Sequence, residues 1–119
     1  MAIKRIVSNI QASDLTLSQA FYGDFLGMDL VMDHGWIKTY ASHELMHPQI
    51  SIASQGGNST AVPDFSIEVD NVDELFHQAV KLNLIIPYAL TQEEWGVKRF
   101  YVKDPFGKIV NILQHVESE

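Results

Sequence analysis

The residues able to do chemistry gather in the second half of the chain. In DFSIEVD, Asp64, Ser66 and Glu68 alternate with Phe65, Ile67 and Val69. A strand there shows two carboxylates and a hydroxyl on one face and apolar groups on the other. Carboxylates so placed can meet a cation or, when half-buried beside a phenol, abstract a proton. Further on, VKRFYVKDPFGKIVNILQH reads as two strands and a tight turn. Asp104-Pro105 opens a type I turn, and Gly107 closes it in the left-handed region. That register puts Asp104 opposite Lys108 and Tyr101 opposite Asn111. Phe100, Val102, Val110 and Ile112 then form an apolar face, while Arg99, Tyr101, Ile109, Asn111 and Leu113 form a mixed face where a ligand could sit. Trp95, in the loop before this hairpin, offers a flat stacking surface.

Other constellations say less. His43 and His47 have the spacing of a helical metal pair, but HELMH lies between two strands and runs into Pro48, so an exposed His-rich loop with His34 is the reading. His77 falls on the polar side of a helix, and His115 ends a strand, exposed. Gly56-Gly57 does not join a strand to a helix, which leaves phosphate cradling unsupported. Ser51 lacks the strained elbow of a hydrolase nucleophile. There is no cysteine, so disulfides, thiolate metal sites and Cys nucleophiles are excluded.

The chain that positions these groups has 119 residues, 46% hydrophobic and 19% charged, which suits one globular domain with an ordinary core. A net charge of −7 with scattered basic residues argues against nucleic acid. With no apolar run near the ~20 residues of a membrane span and no signal-peptide pattern at the start, the expectation is a cytoplasmic protein without membrane contact.

In order, Ile3 to Ala12 alternates as a strand, with Ile6, Ile10 and Ala12 on one face and Arg5, Val7, Asn9 and Gln11 on the other. Ser13 or Asp14 caps a helix whose buried stripe is Leu17, Ala20, Phe21 and Phe25, stopped by Gly27. Strands follow at Met28 to Asp33, Trp36 to Ala41 and Pro48 to Ser54. SQGGNSTAVP is a loop, the joint of the chain. Beyond it come a strand at Asp64 to Asp70, then a helix capped by Asp70 or Asn71 with the stripe Val72, Leu75, Phe76, Ala79, Val80 and Leu82, ended by Asn83. Leu84 to Ala89 is a strand, TQEEWG a loop, and the hairpin gives the last two strands. Both halves read strand, helix, strand, strand, strand: module one over 1–54, a joint over 55–62, module two over 63–119. The likeness is one of pattern, which a duplicated module keeps.

That order, with FYGDFLGM ending the first helix and FYVKDPFGKIVNIL near the end, resembles the vicinal oxygen chelate superfamily of glyoxalases, bleomycin-resistance proteins, fosfomycin-modifying enzymes and extradiol dioxygenases. The resemblance implies an α+β fold: two βαβββ modules forming a cup-shaped, mixed eight-stranded sheet with two helices on the outer face, usually completed in a homodimer. In the superfamily's metalloenzymes, His, Glu or Gln from the first and last strand of each module hold one divalent ion. The matching positions here are Val7, Ser51, Asp64 and Asn111, of which Asp64 alone is a good donor. No metal and no other cofactor is therefore expected.

The resulting expectation is a metal-independent protein that binds a small organic molecule, cationic or aromatic, in the manner of the drug-sequestering resistance proteins. Asp64 would meet positive charge, Tyr101 and Asn111 would orient the ligand, Trp95 would stack, and Arg99, Arg5, Asn9 and Ser51 would complete the walls. The opposing reading pairs Arg5 or Arg99 with the carboxylates and leaves nothing bound. The alternatives are a divergent glyoxalase-type lyase or isomerase or a dioxygenase-like enzyme, with Asp64 as general base if no metal is used, and a ligand-free regulatory domain.

Overall fold

The computed structural model describes residues 1–43 and 49–116. They divide into two compact units, residues 7–62 and residues 1–6 with 63–119. Strand β1 (Ile3–Gln11) contributes to both. The fold is α+β with mixed strand pairing, as the βαβββ pattern predicts.

In the unit of residues 7–62, β2 (Asp29–Asp33), β3 (Ile37–Ala41) and β4 (Gln49–Ala53) form an antiparallel meander, and the second half of β1 pairs with β4 in parallel. The order is β2-β3-β4-β1. Leu15, Tyr40 and Ile52 form its core, with Ala12, Tyr22, Met28 and Ile50 against them. The segment expected to be one α-helix is instead a 3₁₀ turn over Leu15–Leu17 followed by a π-helical segment over Gln19–Phe25. Asp14 caps it, accepting from the Thr16 N–H at 3.0 Å, and Gly27 ends it at φ 73°.

The expected stripe is wrong. Leu17, Phe21 and Phe25 face outward, and the inward set is Leu15, Ser18 and Tyr22. Two causes act together. A 3₁₀ turn followed by a wider π turn, with the Leu26 N–H reaching back five residues to the Phe21 carbonyl, departs from α-helical winding. The inward set also includes a serine, whose hydroxyl is satisfied by the Leu15 carbonyl at 2.7 Å and by the Tyr40 hydroxyl at 2.8 Å. A buried polar residue with partners carries no penalty, so the polar position was free to be the inner one.

In the other unit, the start of β1 and the strands β5 (Phe65–Val69), β6 (Tyr88–Gln92), β7 (Val97–Lys103) and β8 (Ile109–His115) run in the order β1-β5-β8-β7-β6. β5 and β8 are parallel; β7 is antiparallel to both of its neighbours. Helix α1 (Val72–Lys81) begins at Asn71, whose side chain accepts from the Glu74 N–H at 3.2 Å, and Asn83 leaves it at φ 56°. Val72, Leu75, Phe76 and Ala79 pack onto Val69, Phe100, Val110 and Ile112, with Phe65, Ile67, Ile86, Leu90 and Val102 at the margin. Val80 and Leu82, expected in the stripe, are exposed. Val80 falls in the last turn of the helix and Leu82 just past its end.

The hairpin stands as expected. The Asp104 N–H donates to the Lys108 carbonyl at 2.9 Å, Gly107 takes φ 81°, and Tyr101 lies opposite Asn111. Strand β6 starts four residues later than expected, at Tyr88, and runs through Thr91 and Gln92. Pro87 has no N–H to give a ladder, so the regular strand begins after it, although the Lys103 N–H of β7 still donates to the Ile85 carbonyl at 2.9 Å.

Candidate functional site

Alternation along β5, β7 and β8 sends one set of side chains to the α1 core and the other to the opposite face of the same sheet. The register puts Ser66 beside Asn111, Asn111 beside Tyr101, and Tyr101 beside Tyr88, one residue from each of four strands. An irregularity between Tyr88 and Thr91 makes the last step possible. It lets Leu90 point into the core while Tyr88 and Thr91 both join the polar face, the re-aiming that bulges provide.

Three groups sit on this face. The first is Asn111, buried, with its amide nitrogen donating to the Ser66 hydroxyl at 3.1 Å. Its Oδ1 is the buried side-chain polar atom without a hydrogen-bond partner among the described residues. Turning the amide over would only exchange which end is unpaired. Such an atom costs about 1–3 kcal/mol when left unmatched, and so marks a place where a further group would be welcome.

The second group centres on Arg99, 3% exposed on β7. Its Nε and Nη2 donate to Glu93 Oε2 at 2.9 and 2.8 Å, and its Nη1 donates to the Tyr101 hydroxyl at 3.3 Å. The guanidinium carbon lies 5.2 Å from the Tyr88 ring centre and 5.1 Å from those of Trp95 and Tyr101. Tyr88 also donates to Glu93 Oε1 at 3.0 Å. A planar cation held among aromatic faces and tied to a carboxylate is a favourable arrangement for arginine.

The third group is Glu68, 8% exposed on β5. Arg5 Nε donates to its Oε1, His115 Nδ1 lies 3.1 Å from its Oε2, and Lys4 Nζ lies 3.7 Å away. Burial pushes the carboxyl upward, but hydrogen bonds and charge from Arg5 and His115 outweigh that, holding it below the usual glutamate range.

The expected residues thus separate. Tyr101, Asn111, Arg99 and Trp95 come together within one unit. Arg5 instead pairs with Glu68, two positions along β5 from Ser66. Asp64 precedes β5 and is exposed; its Oδ2 accepts from the Ile109 N–H at 2.8 Å. Asn9 and Ser51 lie in the unit of residues 7–62, adjacent in the β1–β4 register, and the buried Ser51 hydroxyl is 2.8 Å from that of Thr39. Glu93 and Tyr88 were not anticipated. The available signal for Glu93 was an arginine placed among buried strand positions, which requires a counter-charge from a neighbouring turn.

The divalent ion implied by the resemblance does not fit these residues. Val7 has no donor atom, Asn111 offers a neutral amide, and the Ser51 hydroxyl and one Asp64 oxygen already have partners. Glu68, a better donor, has both oxygens engaged by basic groups. No cluster of three metal-binding side chains exists among the described residues. His34 lies beside the Trp36 ring, with centroids 6.1 Å apart, and His43 lies 3.3 Å from Asp29, while His47 falls outside the described residues.

With this geometry in hand, similarity to solved structures defines the class. The chain has the fold of the vicinal oxygen chelate superfamily. A glyoxalase/bleomycin resistance protein/dioxygenase superfamily member from Vibrio splendidus 12B01 aligns with TM-score 0.69 at 17% identity, covering 97% of this chain and all of that one (100%). A methylmalonyl-CoA epimerase from Streptomyces coelicolor aligns with TM-score 0.67 at 14% identity, covering 99% and 100%. A structure from Legionella pneumophila described as an NAD-dependent benzaldehyde dehydrogenase aligns with TM-score 0.76 at 17% identity, covering 93% and 99%. No protein-family model and no curated protein matches the sequence. Proteins described as an epimerase, a dehydrogenase and a superfamily member share this backbone, so function must be argued from the side chains. No helix among the described residues is long and apolar enough to cross a membrane.

Proposed function

We propose that this protein binds a small organic molecule without a metal ion, on the polar face of the β5–β8–β7–β6 sheet, as a sequestering protein of the bleomycin-resistance kind. The observation that carries the reading is the buried, unpartnered Oδ1 of Asn111, set between Ser66 and Tyr101 in the register. A ligand N–H or O–H directed at that oxygen would remove its desolvation cost, a gain a well-solvated surface amide cannot offer. Tyr88, Trp95 and Tyr101 supply aromatic wall, and Asp64 at the entry of β5 supplies negative charge for a cationic or aromatic ligand. Arg99 serves this reading as support, since Glu93 and three rings already enclose it. The same reading takes the protein as a cytoplasmic homodimer.

The test is thermal shift and calorimetry with bleomycin and a panel of cationic aromatic dyes, on the wild type and on Asn111→Leu. A compound that stabilises the wild type and binds the variant about 2- to 10-fold more weakly, the worth of one neutral hydrogen bond, supports the proposal. Absence of any stabilising compound, or binding indifferent to Asn111, overturns it. So does a stoichiometric transition metal in protein purified without chelators, which would favour the glyoxalase-type enzyme instead.

A further inference from the structure

We propose that the group taken in at Asn111 is an uncharged planar carboxamide carried on an aromatic ring; the inference rests on the function proposed for this face and narrows its ligand class. Asn111 is 8% exposed, and its Oδ1 has no hydrogen-bond partner among the described residues. An acceptor in that state is matched by an N–H or O–H. It repels a carboxylate or phosphate, which would bring lone pairs to lone pairs. An anionic group is therefore the wrong partner for this atom.

The charges nearby make a cation the wrong partner too. Tyr101 lies opposite Asn111 in the β7–β8 register, and its hydroxyl accepts from Arg99 Nη1 at 3.3 Å. The cross-strand neighbour of Asn111 is thus in direct contact with a buried guanidinium. Lys103, exposed, follows on the same side of β7. The carboxylates that could offset an incoming positive charge are committed elsewhere. Glu93 gives Oε2 to Arg99 and Oε1 to Tyr88. Glu68 is held by Arg5 and His115, with Lys4 beside it. Asp64 is exposed and receives the Ile109 N–H, so its charge acts in solvent at the start of β5. A cation reaching Asn111 would lose its hydration beside a like charge. A neutral N–H makes the same hydrogen bond at a much smaller desolvation cost. The body of the ligand follows from the neighbours. Ile109 and the buried Leu113 flank Asn111 on its side of β8, and the Tyr88 and Tyr101 ring centroids lie 5.4 Å apart. Aliphatic and aromatic walls with one directed polar atom fit a flat apolar ring bearing a single amide.

The probes are three molecules of nearly one shape. Benzamide is neutral and has an N–H; benzamidine is a cation at neutral pH and has more of them; methyl benzoate is neutral and has no donor. Titrations followed by protein NMR chemical shifts give each affinity on wild type, Asn111→Leu and Asn111→Asp, with thermal melting to confirm folding. Wild type should bind benzamide about 2- to 10-fold more tightly than methyl benzoate, and more than about 10-fold more tightly than benzamidine. Asn111→Leu should remove the preference for benzamide over methyl benzoate. Asn111→Asp, which adds a carboxylate at that point, should turn the preference toward benzamidine. The wild-type comparison decides even where a variant does not fold. Tighter binding of benzamidine or of methyl benzoate by wild type, lost in Asn111→Leu, overturns the ligand class and leaves the binding function standing. The ligand class also falls alone if none of the three binds while a cationic dye does. If nothing binds, or benzamide binds all three proteins equally, both fall.

Discussion

Replacing Glu93 by alanine tests the buried charge network directly. The carboxylate holds both Arg99 Nε and Nη2 and receives the Tyr88 hydroxyl, all within a site where the Arg99 and Glu93 side chains are 4% and 3% exposed. Removing it leaves a guanidinium out of water with aromatic faces around it but no counter-charge. Breaking one side of a buried ion pair costs about 3–5 kcal/mol, because the remaining charge keeps its desolvation penalty. A domain of this size has about 5–15 kcal/mol to lose, and each kcal/mol moves the midpoint by roughly 3–6 °C. Glu93→Ala should therefore lower the melting temperature by about 10–25 °C.

The companion variants separate charge from packing. Arg99→Met alone should also destabilise, by leaving Glu93 unpaired, whereas Glu93→Leu/Arg99→Met together should lie within about 1–2 kcal/mol of wild type, since apolar replacement of a whole buried pair is often neutral. Urea denaturation followed by far-ultraviolet circular dichroism gives the coupling energy of the cycle. A loss below about 1 kcal/mol for Glu93→Ala is what an exposed ion pair would give. That result would mean the network is not closed to water, and the argument from burial would fail.

Three further outcomes follow from the same geometry. Asn111→Leu, which replaces an amide with an unmatched oxygen by a side chain of similar branching, should leave the ligand-free protein as stable as wild type or about 1 kcal/mol more stable by urea titration; a loss above about 2 kcal/mol would show that the oxygen is matched after all. Glu68 has its folded-state pKa depressed below the ordinary 4.5, so its pairing with Arg5 and His115 contributes stability that is present above that value and drains away as pH falls through the lowered folded pKa. Wild type minus Glu68→Gln stability should accordingly shrink on acidification below about pH 4.5; a difference that grows with acid in that range would reverse the sign. Asn83→Ala, at φ 56°, should cost about 1 kcal/mol through left-handed backbone strain, and Asn83→Gly should not, as read from thermal melts.

What was legible beforehand depended on whether one residue or a repeating pattern carried the signal. The β7–β8 hairpin could be read to the residue because Asp104, Pro105 and Gly107 each do a separate job and the alternation of both arms agrees with the turn. Helix α1 announced itself through Asn71 and a stripe that its tertiary packing uses as far as Ala79. The first helix misled for a definite reason: its large apolar residues repeat every four positions, but the core selected Leu15, Ser18 and Tyr22, and Ser18 is held there by a hydrogen bond with Tyr40 of β3 that no periodicity reveals. Pro87 was visible, and its effect on where β6 starts could have been drawn from the missing N–H.

The site was less legible than the fold because its partners are supplied by exceptions to the pattern. Glu93 stands in the turn after β6, and Tyr88 reaches the polar face only through the irregularity that also turns Leu90 into the core. Strand β8 shows the division most clearly. Val110 and Ile112 face α1 and hold the sheet to its helix, and any apolar residues of similar volume would serve there. Asn111, between them in sequence, points the other way and contributes an unmatched oxygen to the opposite face. A fold shared with an epimerase and with a glyoxalase/bleomycin resistance protein/dioxygenase superfamily member at under 20% identity constrains the first set and leaves the second open. The Asn111 amide nitrogen serves the sheet through Ser66, and its oxygen is the atom that a ligand N–H or O–H would meet under the proposed function.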